Sequence, residues 1–241
     1  MTYRALDADA IIATCARLNA RIDERFRDSG LSKVAQEVLA VSRETTHRIA
    51  DIRRPNWWIR GASALAVVVM VALLIALAMS ASMPKTGLEL FPLLQVVESA
   101  VNDVIFLGIA VFFLSTLETR LKRRKSLRAL HQLRSLAHVI DMHQLTKDPE
   151  QLVSPTRITP SSPQRALTAF ELGRYLDYCT EMLAILSKLA ALHAQDLDDP
   201  DVLGAVNDIQ GLTTGLSSNI WQKIVILDNL RMRDATVDET R

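Results

Sequence analysis

The sequence predicts an all-α membrane protein, in which two transmembrane helices carry cytoplasmic helical hairpins that form a coiled-coil-like bundle. Three observations carry this reading. Two long apolar runs, Gly61 to Met83 and Val104 to Leu117, lie between clusters of arginine and lysine. Outside them, apolar residues recur at steps of three and four, the spacing of one helix face. The exception is 147–163, where Pro149, Pro155, Pro160 and Pro163 stand among serines and threonines, a composition that favours an extended linker.

The first run has 23 residues and no charge. At about 1.5 Å per residue it can cross a hydrocarbon core of about 30 Å, so a first transmembrane helix is expected at 56–83. The second run has only 14 residues. Extended upstream through Val96, Val97, Ala100 and Val101 it reaches span length, which places a second transmembrane helix at 93–118 behind a short external loop at 84–92.

Orientation follows from the flanks. Arg53, Arg54 and Arg60 stand around the start of the first run, Arg120, Lys122, Arg123, Arg124 and Lys125 follow the second, and the connection carries only Lys85 and Glu89. Basic residues mark the cytoplasmic side. The expectation is a multi-pass protein of the cell membrane with both termini cytoplasmic. Trp57 and Trp58, beside Arg60, suit the headgroup level, and these two tryptophans with the eight basic residues are the expected lipid-headgroup contacts. Met1 to Ala10 shows no basic region leading into an apolar one, so the first run is expected to serve as both targeting signal and anchor.

Hydrophobic residues make up 49% and charged residues 23%, with the apolar excess in the middle third, so most of the chain is expected to meet water. The net charge of +1 hides an asymmetry: Met1 to Asn56 has 10 basic and 8 acidic residues, Trp57 to Gln164 has 11 and 7, and Arg165 to Arg241 has 7 and 12. The basic excess lies against the membrane.

Residues 1–55 read as an N-terminal cytoplasmic hairpin. Ile11, Cys15, Leu18, Ile22 and Phe26 share one face; Gly30 is expected to stop that helix and Ser32 to cap the next. The second helix aligns Val34, Val38, Val41, Thr45, Ile49 and Ile52 and ends at Pro55. After the second span, no proline or glycine occurs between Gly108 and Lys147, so the helix should continue as a cytoplasmic stalk at 119–146 with Leu130, Leu133, Leu136, Ala137 and Ile140 on one face.

A C-terminal antiparallel hairpin is expected at 164–232, followed by a disordered tail at 233–241. Its first helix opens at the capping box of Thr168 and Glu171, or at Ser162 and Pro163. Its second restarts at Asp199 and Pro200. Val206, Ile209, Leu216, Ile220, Ile224 and Leu227 form the expected self-association face, because an isolated two-helix hairpin leaves apolar surface uncovered. Gly211 and Gly215, one turn apart, are expected to permit close backbone approach.

Chemistry is sparse. Glu98 and Asn102 share a face of the second span, with Asp103 rotated round, and together they are the candidate intramembrane polar site; the group meets water at the external boundary, lines an oligomeric pore or proton path, or makes hydrogen bonds between helices. His131, Arg134, His138 and Asp141 form a polar stripe with a local Asp141–His138 pair. The two histidines stand about 10 Å apart on one helix and cannot share an ion without another segment. Cys15 and Cys179 are expected as buried, reduced thiols. Asp196, Asp198, Asp199 and Asp201 lack the glycine and terminal glutamate of a calcium loop, and no glycine pattern for phosphate or dinucleotide binding occurs.

No catalytic, cofactor-binding or metal residue is therefore expected. The reading is an anchored helical interaction or oligomerisation module without a catalytic site, whose partners are membrane lipids, further copies of the chain and a cytoplasmic protein, with no nucleic acid. The alternative is an oligomeric two-span pore or signal-transducing effector gated by its cytoplasmic helices. The outline is similar to that of bacterial two-span effector and sensor proteins in general, a likeness of architecture that carries over no residue.

Overall fold

The computed structural model describes residues 5–53, 55–80, 90–149 and 167–239, and every regular element among them is an α-helix. In chain order these are α1 (Ala8–Arg25), α2 (Gly30–Arg53), α3 (Trp57–Ser80), α4 (Leu90–Leu145), α5 (Ala169–Asp196) and α6 (Pro200–Glu239). The chain divides into two compact units, residues 1–53 with 125–241, and residues 54–124. Arg54, Lys85, Glu89, Ser162, Pro163, most of the 84–92 loop and the 147–163 linker, and the last two tail residues lie outside the described residues, as does the side chain of Arg53.

In the larger unit, Asp7 opens α1 by accepting the N–H groups of Asp9 and Ala10 at 2.9 and 3.2 Å. Ile11, Cys15, Leu18 and Ile22 are buried along one face, as their spacing requires. The turn that follows corrects the sequence expectation. Asp28 takes the left-handed conformation, at φ 58°, which its short polar side chain tolerates. Gly30 begins α2, and Ser29 is the cap, its hydroxyl accepting the Ser32 N–H at 3.1 Å. Ser32 instead donates to Asp23 Oδ1 at 2.8 Å. Glycine at 30 has a different purpose: a Cβ there would stand 2.6 Å from Cε1 of His143.

Helix α1 packs on α2 and α5, α2 on α5, and α5 on α6. The backbone N–H of Leu6 donates to Gln195 Oε1 at 3.0 Å, Arg21 pairs with Glu181, and Phe26 meets the edges of Tyr175 and Tyr178. Rising numbers on α1 thus meet falling numbers on α5, so the two are antiparallel. The C-terminal part of α4 joins the same core through Leu130, Leu133, Leu136, Ala137 and Ile140. Arg48 of α2 bonds Gln132 at 2.7 Å, Tyr175 donates to the carbonyl of His143 at 3.2 Å, and Lys223 of α6 donates to Gln144 Oε1 at 2.7 Å. Five helical segments therefore share one core, and the expected bundle takes in the part of α4 that was expected as a stalk.

That core takes up the expected self-association face. Val206, Ile209, Ile220, Ile224 and Leu227 are buried in it, and Leu216 is partly buried against it. The expectation assumed a face left open by the hairpin, whereas α6 packs on α5 and its Lys223 reaches Gln144 of α4. Gly211 and Gly215 are likewise corrected: a Cβ at either would meet nothing within 4 Å, so neither marks a close helix approach among the described residues.

The caps of the C-terminal hairpin follow the sequence. Thr168 and Glu171 form the full capping box, and Asp199 Oδ1 accepts the N–H groups of Asp201 and Val202 at 3.1 and 3.3 Å. Helix α6 runs on to Glu239 through the stretch expected to be disordered, because no proline or glycine stands after Gly215 to end it. Cys15 and Cys179 are buried and unpaired. Burial pushes both thiols up, Cys179 to about 12, so each stays protonated and acts as a small apolar group.

In the smaller unit, α4 begins at Leu90, ahead of Pro92, which was assigned to the loop. Proline is accommodated in a first helical turn because its missing N–H has no intrahelical acceptor there. Helix α4 contains, within Val101–Leu145, a stretch long and apolar enough to cross a membrane, whereas α3 contributes a shorter apolar stretch, Arg60–Ala72.

Candidate membrane interface

Large apolar side chains line the described surface of α4. Val104, Phe106, Ile109 and Phe112 are exposed, Phe106 by 70%, and on α3 Leu65, Val68 and Ile75 are exposed too. Single exposed apolar residues are ordinary, but a helix lined with them marks a surface that meets something other than water.

The apolar stretch of α4 ends at Leu117, and the next residue, Glu118, organises the boundary. Arg60 Nε donates to Glu118 Oε2 at 2.7 Å, the Asn56 N–H donates to Oε1 at 3.2 Å, and Lys122 Nζ lies 2.9 Å from Oε1. The Glu118 side chain is 13% exposed. One carboxylate thus joins the first turn of α3 to the end of the apolar surface on α4. Charge-assisted bonds of this kind are short and comparatively strong. The sequence reading passed over Glu118, yet a signal existed. Arg60 is the only charged residue of α3, and Glu118 is the only acid between Asp103 and Asp141.

Around this anchor Trp57 and Trp58 are exposed, by 74% and 89%. The guanidinium of Arg120 lies 5.3 Å from the centroid of the Phe113 ring, covering apolar surface while its charge faces outward. Arg124 and Lys125 are exposed, and Arg123 is half-buried. The structure therefore gathers Arg60, Lys122 and Glu118 into one cluster and leaves Trp57, Trp58, Arg124 and Lys125 outward.

Glu98 and Asn102 are exposed and Asp103 is half-buried, all within α4. His131, Arg134 and His138 are exposed farther along the same helix. The expected local pair differs: Asp141 Oδ1 accepts a bond from Gln144 Nε2 at 2.7 Å. Among the described residues no three His, Cys, Asp or Glu side chains stand close enough to hold a metal ion.

Comparisons with protein-family models, with curated proteins and with solved structures found no match. The functional reading therefore rests on these surfaces alone.

The sequence also passed over His193. It is 3% exposed in the bundle core, and neither ring nitrogen has a hydrogen-bond partner. Burial, with the Arg48 charge second, pushes its pKa down to about 4, so the imidazole is neutral near pH 7. Its place was readable, since His193 continues the three-and-four spacing of Leu172, Tyr175, Cys179, Met182, Leu186 and Leu189; the lack of a partner for its ring was not.

Proposed function

We propose that the chain is a membrane-anchored helical interaction module, held by two antiparallel spans drawn from α3 and the first half of α4. The observation that carries this reading is the exposed apolar surface of α4, with Val104, Phe106 and Ile109, which stops at Glu118 where the basic run begins. Support for the second span comes from the bond between Arg60 and Glu118. It sets the start of α3 beside the end of the α4 apolar stretch, the arrangement an antiparallel hairpin needs. The 24 residues of α3 cover about 36 Å at a rise of 1.5 Å, and Arg60 at one end is their only charge.

In this reading both termini are cytoplasmic, Trp57, Trp58, Arg120, Arg124 and Lys125 meet lipid headgroups, and the five-segment bundle is the water-exposed working part. Its role is docking. With Ile220, Ile224 and Leu227 buried, the surface offered to a second chain is the outward side of α6, where Trp221 and Val225 are exposed four residues apart. Single cysteines introduced at Thr86 and Thr236 in the native membrane test the topology. A membrane-impermeant maleimide applied outside should label the first and spare the second, and the reverse pattern, or labelling of both, overturns the two-span reading.

The pore alternative draws its support from Glu98 and Asn102, two exposed polar residues on one face of the same helix. Ion flux through liposomes holding the purified protein separates the two readings.

A further inference from the structure

The turn between α1 and α2 and the end of α4 border a cavity of about 420 Å³, within the size range of small-molecule sites. We propose that it binds a compact amphipathic anion, a carboxylate carried on a small aromatic or branched apolar body.

The walls fit an apolar body. Phe26, Leu31, Met142, Leu167 and Tyr175 line the cavity, and the rings of Phe26 and Tyr175 are fixed edge to face with centroids 5.7 Å apart. A pre-set aromatic corner accepts a flat or compact group with little reorganisation.

The polar groups of the same lining fit an anion. Lys147 Nζ is held 5.4 Å from the centroid of the Tyr175 ring, which places a cation above the aromatic wall. His143 lines the cavity, seated against Gly30, where a Cβ would stand 2.6 Å from its ring. The N–H groups of Gly30 and Leu31 belong to the first turn of α2, have no acceptor earlier in that helix, and lie at the positive end of its dipole. Ser29 and Thr146 add hydroxyls. Tyr175 contributes no negative charge, because burial raises its pKa above the ordinary range and its hydroxyl donates to the His143 carbonyl. Among the described lining residues none is a carboxylate. A cavity whose charge is cationic and whose walls are apolar selects an anion with an apolar body over a cation or a sugar.

The test uses the full chain in detergent micelles, with 2-naphthoate as probe and the neutral 2-naphthamide as control, followed by titration calorimetry. One saturable naphthoate site is expected. Lys147→Gln should weaken naphthoate about 5- to 20-fold, as loss of one charge-assisted contact implies, while changing naphthamide less than about two-fold. Thr146→Trp, at an exposed position on the rim, should abolish binding of both with helicity retained. Absence of a saturable site overturns the proposal. So does naphthoate affinity that survives both substitutions, which would place the probe elsewhere. Equal weakening of naphthoate and naphthamide by Lys147→Gln would overturn the choice of an anion.

Discussion

Arg60 on α3 and Glu118 on α4, 58 positions apart, meet with Nε 2.7 Å from Oε2, and the other carboxylate oxygen takes the Asn56 N–H at 3.2 Å. A charge at the head of an otherwise apolar helix is thereby matched by the one acid at the end of another apolar stretch. The contact ties the start of α3 to α4 at a point where the apolar stretch has ended.

Removing the carboxylate should loosen that end of the hairpin. Glu118→Ala is expected to cost about 1 kcal/mol, a modest value because Arg60 is largely exposed and screened. Hydrogen exchange at the Asn56 amide reads this directly and should speed up several-fold. Unchanged protection would show that the carboxylate does not hold the start of α3.

Neighbouring residues on α6 should behave oppositely. Ile220 is fully buried and Trp221 is 62% exposed. Ile220→Asp places a charge in the core and is expected to destabilise the bundle by more than about 3 kcal/mol, seen as loss of helicity on mild heating. Trp221→Asp should leave the melting curve nearly unchanged and lower the oligomer mass measured by light scattering. A Trp221→Asp protein of unchanged mass would remove the outward stripe of α6 as the docking surface.

His193 makes the bundle sensitive to acid. Its folded pKa of about 4 lies below its ordinary value of 6.5, so between these values the unfolded chain binds the proton and the folded chain does not. Stability is then full above pH 6.5, falls as the pH drops toward 4, and loses on the order of 3 kcal/mol across that window. His193→Phe should flatten this part of the profile in denaturant titrations at pH 7, 5.5 and 4.5. A wild-type profile that is already flat would mean that the imidazole finds a partner or water in solution.

Glu98→Gln is expected to leave ion leak through protein-bearing liposomes unchanged, in line with a carboxylate that meets water at the external boundary rather than one that conducts. Loss of a current shown by the native protein would favour the pore.

Much of the local structure was legible. Caps at Thr168–Glu171 and Asp199–Pro200 were readable because their chemistry is confined to four consecutive residues. The turn at Asp28 was not, because glycine is the usual left-handed residue and Gly30 stood two positions away; His143, 113 positions later in the chain, occupies the space a side chain at 30 would need. Glu118 and His193 were missed for the same reason. A lone acid among cations and a lone histidine on an apolar stripe stand out in the sequence, but which groups they meet, or fail to meet, is set by residues distant in sequence.

By itself, then, the sequence determined where helices form and which side of each demands cover, since a period of 3.6 and the end-capping groups are properties of single segments. It determined equally that α4 carries a stretch apolar enough for a membrane. Only the tertiary structure decided that the stripes of α1, α2, α4, α5 and α6 meet in one core, so that Ile220 and Leu227 face their own chain and Trp221 faces outward. The physical reason is that apolar burial has no direction and no partner preference. A stripe specifies that it must be covered, and the lengths and turns of the whole chain choose the surface that covers it.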